Sequence, residues 1–392
     1  MICNSVSKSN LLKPVVGVVG GGQLAQMLAE AAESRDVDII VQAQSNDDPA
    51  ASKANRLVLA EIKDASATSE LVRNCCSVTF ENEWVNIDDL RLLENQGACF
   101  VPPLEALEPL VNKIAQRKLL DELRIPGPDW IELNSVELKD GKLPNGWDFP
   151  VIAKSGRGGY DGKGTKIIKN SVELSDFLEF VDKKDWLLEK WVQFHVELAL
   201  VVSRDSNGKI RTFPIVETKQ TNQVCDWVLA PADVSHSVDV MAYNIAASLL
   251  TELNYVGVIA IEFFYGPQGL LVNEIAPRTH NSAHFSIEAC NSSQFDQQIC
   301  ITAGLSTPDP KLIVPGALMV NLLGLPEGSA MSIDERLLML KKIDGVHLHW
   351  YNKIKEIPGR KLGHVTLLLY SDDPHIRRDE ALKGLDRIRS IW

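Results

Sequence analysis

The chain changes its secondary-structure pattern after its N-terminal section, and this change restricts the possible folds more than any other feature. Up to residue 101, apolar strand segments alternate with helical patterns, from Pro14–Val19 to Ala98–Val101. Such alternation is typical of a parallel sheet with helices on both faces. From Val151 onward, apolar segments are separated by short turn-rich loops, which is typical of antiparallel hairpins. We therefore predict a mixed α/β and α+β protein in which three segments surround one cleft.

Breaks in this pattern divide the chain into three predicted domains. The first covers residues 1–110 and is Rossmann-like, and Pro102 and Pro103 end its sheet. The second covers residues 111–310, and the third is a small, mainly-β domain over residues 311–392. A length of 392 residues fits two to three domains at about 150 residues each.

The charge of the chain argues against large polyanions as partners. Its 40 basic and 52 acidic side chains leave a net charge of −12, which disfavours binding to nucleic acid or to an anionic membrane. No segment approaches the roughly 20 apolar residues of a transmembrane helix. The seven cysteines are scattered and lack metal-type spacing, which indicates reduced thiols and a cytoplasmic location. An organelle stroma stays open if a targeting arm has been removed.

A glycine-rich turn at residues 20–25, with the sequence Gly-Gly-Gly-Gln-Leu-Ala, lies between a predicted strand and a predicted helix. Backbone amides at a helix N-terminus suit a phosphate, as in the dinucleotide fingerprint. That fingerprint also needs an acid about 20 residues later to hold a ribose, but Gln42 lies at this place. We predict a phosphate contact that is not a nicotinamide site, and a tight turn without ligand is the alternative.

A second glycine-rich segment follows the predicted strand that ends at Lys154. Five glycines fall within residues 156–164, so backbone amides can approach a polyphosphate without an intervening Cβ. Lys154 and Lys163 add positive charge. Strands on both sides distinguish the segment from a Walker A loop. We predict a lid over nucleotide phosphates, and a merely flexible hairpin is the alternative.

The third signal is a predicted hairpin over residues 258–275 that contains two carboxylates. A three-residue loop that pairs Gly266 with Leu270 places Glu262 directly opposite Glu274. Cross-strand Cβ atoms lie about 5 Å apart, where like charges repel. Because the neighbouring residues are apolar, we predict that the pair binds Mg²⁺ together with phosphate oxygens. Two carboxylates on a solvated face are the alternative.

Together, these segments resemble the ATP-grasp superfamily and, within it, the 5-(carboxyamino)imidazole ribonucleotide synthase family of purine biosynthesis. The match extends over nearly the whole chain. It has two departures, because Ala25-Gln26 replace a Gly-Arg pair and Ala283 replaces a glycine that the family usually has. The segments that carry the resemblance are GGGQL (20–24), FENE (80–83), GGYDGKG (158–164), NEIAPRTHNSAH (273–284), VHLHWYNK (346–353) and PGRKLGH (358–364).

The resemblance implies an ATP-grasp fold with a pre-ATP-grasp N-terminal domain and a lid over about 130–215. It implies that ATP and bicarbonate form carboxyphosphate, whose carboxyl group passes to the exocyclic amine of 5-aminoimidazole ribonucleotide. The products are N5-carboxyaminoimidazole ribonucleotide, ADP and phosphate. The implied cofactor is Mg²⁺, and the implied partners are these small molecules, a second copy of the chain in a homodimer, and the mutase that takes the product.

The ATP-binding residues that the resemblance implies lie in the central domain. Lys113 and Lys154 match the family's phosphate-binding basic residues, and Glu197 matches the acid that takes the ribose hydroxyls. Glu262 and Glu274 would hold Mg²⁺. The other implied contacts are Gly159, Tyr160, Gly162, Lys163, Gly164 and Thr165 in the lid, Glu189, Lys190, Trp191 and Val192 in an adenine-reading strand that uses its backbone groups, and Gln220 and Asn273.

The second substrate and the reacting groups would meet residues from all three domains. The basic group near residue 360 suits a phosphate monoester, and Arg278 would be an anion clamp. The implied substrate-binding residues are Gln23, Leu24, Glu81, Tyr160, Asp161, Asn281, Lys353, Arg360 and Lys361. The implied catalytic residues are Asp161, which would accept a proton from the substrate amine, and Arg278, His280 and Asn281.

Three alternative functions would use some of the same residues. A formate-dependent phosphoribosylglycinamide formyltransferase of the same superfamily would share the ATP site, but Tyr160-Asp161 and residues 278–284 favour the carboxylating enzyme. A catalytically silent nucleotide-binding regulatory module would not need both carboxylates of the hairpin. A nicotinamide dehydrogenase is excluded by Gln42 and by the hairpin-rich middle of the chain.

Overall fold

The computed structural model describes residues 13–134, 142–159, 164–326 and 331–392. Within these ranges the backbone forms a five-stranded, a four-stranded and a nine-stranded sheet, with helices packed against them. No helix in these ranges is both long and apolar enough to cross a membrane. The tip of the predicted lid, Tyr160, Asp161, Gly162 and Lys163, lies outside the described residues.

The five-stranded N-terminal sheet is parallel, as the alternation of strands and helices predicts. Its elements are β1 (Val15–Val19), α1 (Gln23–Ser34), β2 (Asp38–Ala43), β3 (Arg56–Leu59), α2 (Ala65–Asn74), β4 (Ser77–Phe80), α3 (Ile87–Glu94) and β5 (Phe100–Val101). The strand order is β3-β2-β1-β4-β5, and all neighbouring pairs are parallel. Since the chain leaves β1 at the carboxyl edge, the glycine-rich turn opens onto the edge where such sheets bind ligands.

Two helices connect this sheet to the next domain, namely α4 (Leu104–Leu107) and α5 (Lys113–Glu122). The sequence pattern predicts a helix over about Leu110–Leu123, and the observed α5 begins three residues later. The side chain of Asn112 accepts hydrogen bonds from the backbone N–H groups of Ile114 at 2.8 Å and Ala115 at 3.2 Å. Such a cap defines the first turn of a helix, and it places Lys113 at the start of α5.

The lid is built on the four-stranded antiparallel sheet, in the order β6-β9-β7-β8. Its elements are β6 (Trp130–Glu132), β7 (Val151–Ser155), β8 (Thr165–Ile168), α6 (Ser171–Phe180) and β9 (Trp186–Lys190). β7 and β8 are the two arms of the glycine-rich segment, and Gly164 has a φ of +76°, which a residue with a side chain rarely adopts. The strand–loop–strand arrangement predicted for this segment is confirmed on both described arms.

The nine-stranded sheet joins the central and C-terminal parts of the chain. Its strands are β10 (Val196–Arg204), β11 (Ile210–Thr212), β12 (Val216–Thr221), β13 (Val224–Ala230), β14 (Gly257–Gly266), β15 (Gly269–Ala276), β16 (Gly316–Leu323), β17 (Val346–Trp350) and β18 (Lys361–Leu369). The order is β15-β14-β10-β12-β13-β16-β18-β17, with β11 paired to β10. Because β13 pairs with β16, the C-terminal strands continue the sheet that carries the carboxylate hairpin.

The apolar pattern over Ile210–Val216 predicts a single strand, and this prediction is wrong. The segment is divided into β11 and β12 at residues 213–215, where Pro214 lacks the N–H that a sheet ladder requires. The prediction also omitted α6, β16 and the helix α10 (Ile333–Leu340). The remaining helices are α7 (His236–Glu252), α8 (Ser286–Ala289), α9 (Gln294–Thr302) and α11 (Pro374–Arg389).

Helix α9 fixes the N-terminal sheet to the large sheet. Phe295 and Ile299 are buried in the same apolar cluster as the core residues of β1 and α1. Gln298 of the same helix accepts a hydrogen bond from Val258 N at 2.7 Å and donates one to Thr79 Oγ1 at 2.8 Å. The carboxyl edge of the N-terminal sheet is therefore held against β14 and the segment that follows β15.

Candidate active site

The glycine-rich turn is closed by a carboxylate of the chain itself. The backbone N–H of Gly22 donates to Glu81 at 2.6 Å and that of Leu24 at 3.1 Å. A Cβ at position 22 would collide with this carboxylate, so a larger residue there would displace the Glu81 side chain. Burial raises the pKa of Glu81, although the amides act in the opposite direction. The amides that we predicted to contact a phosphate thus contact Glu81, and Glu81, Gly22 and Leu24 form one site.

Gln42 has a structural place in the N-terminal sheet. Its side chain is fully buried, donates to the carbonyl oxygen of Glu61 at 2.6 Å and accepts from the hydroxyl of Thr68 at 2.8 Å. These bonds hold β2 to the segment around α2. The residue therefore does not offer a carboxylate or a free amide to a ribose, as the sequence indicates.

The two carboxylates of the long hairpin lie opposite each other. Glu262 on β14 pairs with Glu274 on β15, as predicted. The register predicted at the turn is wrong, because Gly266 pairs with Gly269 rather than with Leu270. A β-bulge between this turn and the carboxylates restores the predicted pairing, because Asn273 is an extra residue on β15.

The carboxylate pair carries more negative charge than its surroundings neutralise. Lys113 Nζ lies 2.6 Å from Glu274 Oε2. Burial alone would raise the pKa of Glu274, but the ammonium groups of Lys113 and Lys154 hold it below its usual value. Burial and the charges of Glu274 and Glu197 raise the pKa of Glu262 to about 7. A cation between the two carboxylates would relieve this repulsion.

Next to this pair, a buried ion network connects the lid sheet to α5. The Glu189 carboxylate is 2.7 Å from Lys154 Nζ and 2.7 Å from the guanidinium of Arg117. Burial lowers the pKa of Lys154, and although burial opposes it, the two cations lower the pKa of Glu189. Lys154 Nζ also donates to Asn273 Oδ1 at 2.9 Å. The side chain of Glu189 therefore orients a predicted phosphate-binding lysine.

The other predicted nucleotide residues lie on the lid sheet and on strands β10 and β12 of the large sheet. Glu189 and Lys190 are the last residues of β9, and Trp191, which follows them, is 42% exposed. Glu197 on β10 accepts from the backbone of Gln220 on β12, and burial raises its pKa. The remaining members of this set are Val192 just after β9, and Gly159, Gly164 and Thr165 on the lid arms.

Residues 278–284 form a fixed loop beside the carboxylates. The side chain of Gln294 accepts from the N–H of His280 at 2.7 Å and donates to its carbonyl oxygen at 2.7 Å. His280 Nε2 lies 3.5 Å from Glu262 Oε1. Burial and the charges of Arg278 and Lys361 lower the pKa of His280 to about 3, so the ring is neutral.

Two side chains of this loop carry polar groups that suit a polar ligand. Arg278 Nε donates to Glu83 Oε2 at 2.8 Å, which holds the guanidinium at the rim of the cleft. The side-chain amide of Asn281 is buried, and both its oxygen and its nitrogen lack a hydrogen-bond partner within the described ranges. An unsatisfied buried amide costs free energy, so a polar ligand at this point would stabilise it.

The structure brings one member of the C-terminal basic group to the glycine-rich turn. Lys353 Nζ donates to Gln23 Oε1 at 2.6 Å and to the carbonyl oxygen of Lys361 at 2.6 Å. Arg360 is exposed and precedes Lys361 at the start of β18. Gln23 of the first domain and Lys353 and Lys361 of the third therefore lie together, and the loop at 278–284 contacts both Glu83 and Glu262.

Comparison with known proteins identifies the family. Residues 14–110 match the ribonucleotide synthetase preATP-grasp domain, residues 118–295 match the ATP-grasp domain, and residues 317–378 match the phosphoribosylaminoimidazole carboxylase C-terminal domain. The N5-carboxyaminoimidazole ribonucleotide synthase of Synechococcus elongatus is 42% identical over 377 residues, which cover 96% of this chain and 95% of that protein. The chain belongs to the N5-carboxyaminoimidazole ribonucleotide synthase family. This confirms the resemblance and the ATP-grasp fold expected from the sequence.

Solved structures of this family superpose closely on the chain. The Staphylococcus aureus N5-carboxyaminoimidazole synthetase complexed with ADP has a TM-score of 0.86 at 28% identity, and the match covers 97% of this chain and 99% of that one. The Aspergillus clavatus N5-carboxyaminoimidazole synthase in complex with ADP and 5-aminoimidazole ribonucleotide has a TM-score of 0.85 at 27% identity, covering 96% and 99%. The two ligands of the Aspergillus protein are the nucleotide and the amine that the sequence resemblance implies.

The departures from the usual N5-carboxyaminoimidazole ribonucleotide synthase sequence fit without strain. Ala283 lies in a short 3₁₀ helix, Asn281–Ala283, where φ is not positive and glycine is not required. Gln26 takes a local role, because its Nε2 donates to Glu30 Oε1 at 3.3 Å and to the carbonyl oxygen of Trp350 at 3.4 Å. Both replacements leave the neighbouring site residues in place.

Our sequence predictions omitted three site residues, namely Arg117, Glu83 and Gln294. Each acts on a predicted residue of another element, so no local pattern marks it. Glu83 is the last residue of the FENE segment that carries the resemblance, and this was the available signal. Arg117 and Gln294 lie within helices, where a polar residue ordinarily faces solvent.

Proposed function

We propose that the protein carboxylates the exocyclic amine of 5-aminoimidazole ribonucleotide, using ATP and bicarbonate, in de novo purine biosynthesis. The observation that carries this proposal is the position of the loop at 278–284. His280 contacts Glu262 of the carboxylate pair, and Arg278 contacts Glu83, two residues from the acid that closes the glycine-rich turn. Carboxyphosphate formed at the nucleotide would therefore lie next to the second substrate.

The chemistry needs two displacements. A bicarbonate oxygen attacks the γ-phosphorus of ATP, ADP leaves, and carboxyphosphate forms. The amine nitrogen then attacks the carboxyl carbon, phosphate leaves, and the nitrogen loses a proton for which Asp161 is the proposed acceptor. Because bicarbonate is a poor electrophile and carboxyphosphate is short-lived in water, the lid has to exclude solvent.

The loop supplies donors for this chemistry. Ser282 N donates to His280 Nδ1 at 3.3 Å, so Nδ1 is an acceptor and Nε2 carries the proton of the neutral ring. This N–H and the guanidinium of Arg278 suit an oxyanion such as bicarbonate or carboxyphosphate. The amide of Asn281 offers both a donor and an acceptor at the same place.

The residues of the cleft fit Mg²⁺ bound together with ATP. Glu262 and Glu274 would hold the ion, and Asn273 lies beside them. Within the described ranges, no group of three or more His, Cys, Asp or Glu side chains could hold a metal alone. This suits an ion that takes one or two carboxylates plus phosphate oxygens and waters. When bound, Mg²⁺ would neutralise charge on the transferred phosphoryl group.

The test is ADP release in the presence of Mg²⁺ with two substrate pairs. Bicarbonate with 5-aminoimidazole ribonucleotide is expected to stimulate ADP release, and product analysis should give the N-carboxylated nucleotide. Stimulation by formate with glycinamide ribonucleotide instead would establish the formyltransferase. ADP binding without turnover on either pair would indicate a regulatory nucleotide-binding module.

We further infer a homodimer that passes its product to the mutase and works in the cytoplasm or an organelle stroma. The family resemblance supports the assembly and the partner. The free state of the described cysteines supports a reducing compartment. Light scattering of the purified protein measures the assembly, and a monomer at micromolar concentration would contradict it.

A further inference from the structure

The edge of the large sheet is held by two consecutive side chains of α5. Strand β15 lies at the end of this sheet, and an edge strand leaves one row of backbone groups without a partner strand. Arg117 donates to the carbonyl oxygen of Val272 at 2.8 Å and to that of Asn273 at 2.7 Å. Gln116 donates to the carbonyl oxygen of Ile275 at 2.9 Å and accepts from its N–H at 3.2 Å. These four bonds replace a neighbouring strand along the segment that contains Glu274.

The same segment contains the β-bulge. Phe263 pairs with Val272, whereas Glu262, one residue earlier on β14, pairs with Glu274. Asn273 is therefore the extra residue. Its carbonyl oxygen, which the regular ladder leaves unpaired, is one of the two oxygens that Arg117 binds. The bulged segment of β15 is therefore the same segment that the side chains of α5 bind.

The bulge decides which side chains face the cleft. Adjacent residues of a regular strand point to opposite faces of the sheet. Here Asn273 bonds to Lys154 at 2.9 Å while Glu274 pairs with Lys113 at 2.6 Å. Two successive residues thus contact cations of the same cleft, and the apolar residues on either side of them remain in the core. Without the bulge, one of the two would turn away.

We propose that Gln116 and Arg117 are positioning residues for the Glu262–Glu274 pair. They hold the bulge at Asn273, and they thereby set how tightly a divalent cation binds together with the nucleotide. Both side chains are almost completely buried, at 7% and 4% exposure, so neither is offered to a ligand directly. This inference rests on the proposed use of Mg²⁺ with ATP.

Arg117 cannot be replaced by lysine in this role. Its guanidinium has five N–H donors in a planar fork and spans two carbonyl oxygens and the Glu189 carboxylate at once. A lysine keeps the charge but presents one compact ammonium group. Arg117→Lys therefore separates the fork geometry from the charge, and Gln116→Met removes the amide while the length of the side chain is kept.

The test measures ADP affinity by calorimetry with Mg²⁺ and again with a chelator. The ratio of the two affinities reports the cation site and needs no turnover. Because a bond to a buried group is worth about one order of magnitude in an equilibrium, we expect this ratio to fall about tenfold in Gln116→Met and in Arg117→Lys. Gln297→Met is the matched control, since Gln297 is equally buried and bonds to Ser203, Ser292 and Pro308 away from the carboxylates. Its ratio should equal that of the wild type.

A double variant separates positioning from a general loss of structure. In a Glu274→Gln background the cation ligand is already lost, so adding Gln116→Met should not lower the ratio again. An unchanged ratio in Gln116→Met, or a further decrease in the double variant, overturns the proposal. Gln116→Met leaves the Arg117–Glu189 pair intact, so it decides the question even where Arg117→Lys does not fold. If the wild type shows the Mg²⁺ effect but no carboxylation, the proposed reaction fails and this inference stands.

Discussion

Replacing Gln294 with methionine would test whether the backbone of His280 must be held for carboxylation. The side chain of Gln294 is fully buried, and it binds His280 N, His280 O and His284 Nδ1 at 2.7, 2.7 and 3.0 Å. Methionine has a similar length but forms none of these bonds. The N–H of His280 then loses its partner, and its carbonyl oxygen keeps only the bond from Ala283 N at 3.1 Å, at a cost of about 1–3 kcal/mol. At about 2 kcal/mol, the middle of this range, the productive loop position becomes about 30-fold less populated.

The matched control lies one turn further along the same helix. Gln297 is also fully buried and forms three side-chain hydrogen bonds, at 3.0, 2.9 and 2.7 Å, with no contact to the loop at 278–284. Gln294→Met and Gln297→Met should therefore lower the melting temperature by similar amounts. Only Gln294→Met should lower kcat/KM for bicarbonate, by about 30-fold, and it should release more ADP per carboxylated product.

The assay follows ADP and the N-carboxylated nucleotide in parallel as the bicarbonate concentration is varied. If the two variants lose kcat/KM equally, the effect comes from stability and the clamp has no special role. If Gln294→Met keeps full coupling and full kcat/KM, the loop does not need this clamp. Either result would refute the reasoning from the contacts of Gln294.

Three further predictions follow from the charged groups of the cleft. Glu189→Gln leaves Lys154 and Arg117 buried beside an uncharged amide, so urea unfolding should show a loss of about 3–5 kcal/mol, and an unchanged midpoint would contradict this. The pKa of Glu262 is raised from 4.5 to about 7 in the folded protein. Between these two pH values the folded protein therefore binds more protons than the unfolded chain. Its thermal stability without metal should therefore fall as the pH rises from 5 to 7; Glu262→Gln should show a smaller decrease, and an equal decrease would exclude Glu262 as the cause. Glu274→Gln should abolish turnover while circular dichroism stays unchanged, and near-normal activity would remove Glu274 from the cation site.

The carboxylate pair shows how far sequence alone leads. Glu262 and Glu274 were placed opposite each other by assuming a regular ladder after a three-residue loop, whereas the structure reaches the same pair through a bulge. The signal for the bulge is present in the sequence, because Asn273 and Glu274 are adjacent polar residues in an otherwise apolar strand. A strand with one buried face cannot accommodate two successive polar side chains without such an irregularity.

The supporting residues were not predictable in the same way. Arg117 and Gln294 are polar residues on helices, and their partners lie on other elements, Arg117 bonding to Val272 and Gln294 to His280. Their function depends on tertiary packing, which determines what a helix face meets. The parallel sheet, the lid arms and the long hairpin were predicted because each depends on local periodicity and turn residues.

The continuity of the nine-stranded sheet has a consequence for the reaction geometry. Glu274 lies on its first strand, and Lys361 begins the strand β18 at the other side. A residue proposed to bind the cation and nucleotide, and a residue proposed to bind the phosphate of the second substrate, thus lie on one continuous hydrogen-bonded sheet. The separation between the two proposed binding places is then established when the chain folds. Because the protein groups that hold the two ligands are already in place, binding brings the amine next to the activated carboxyl group and raises its effective concentration there.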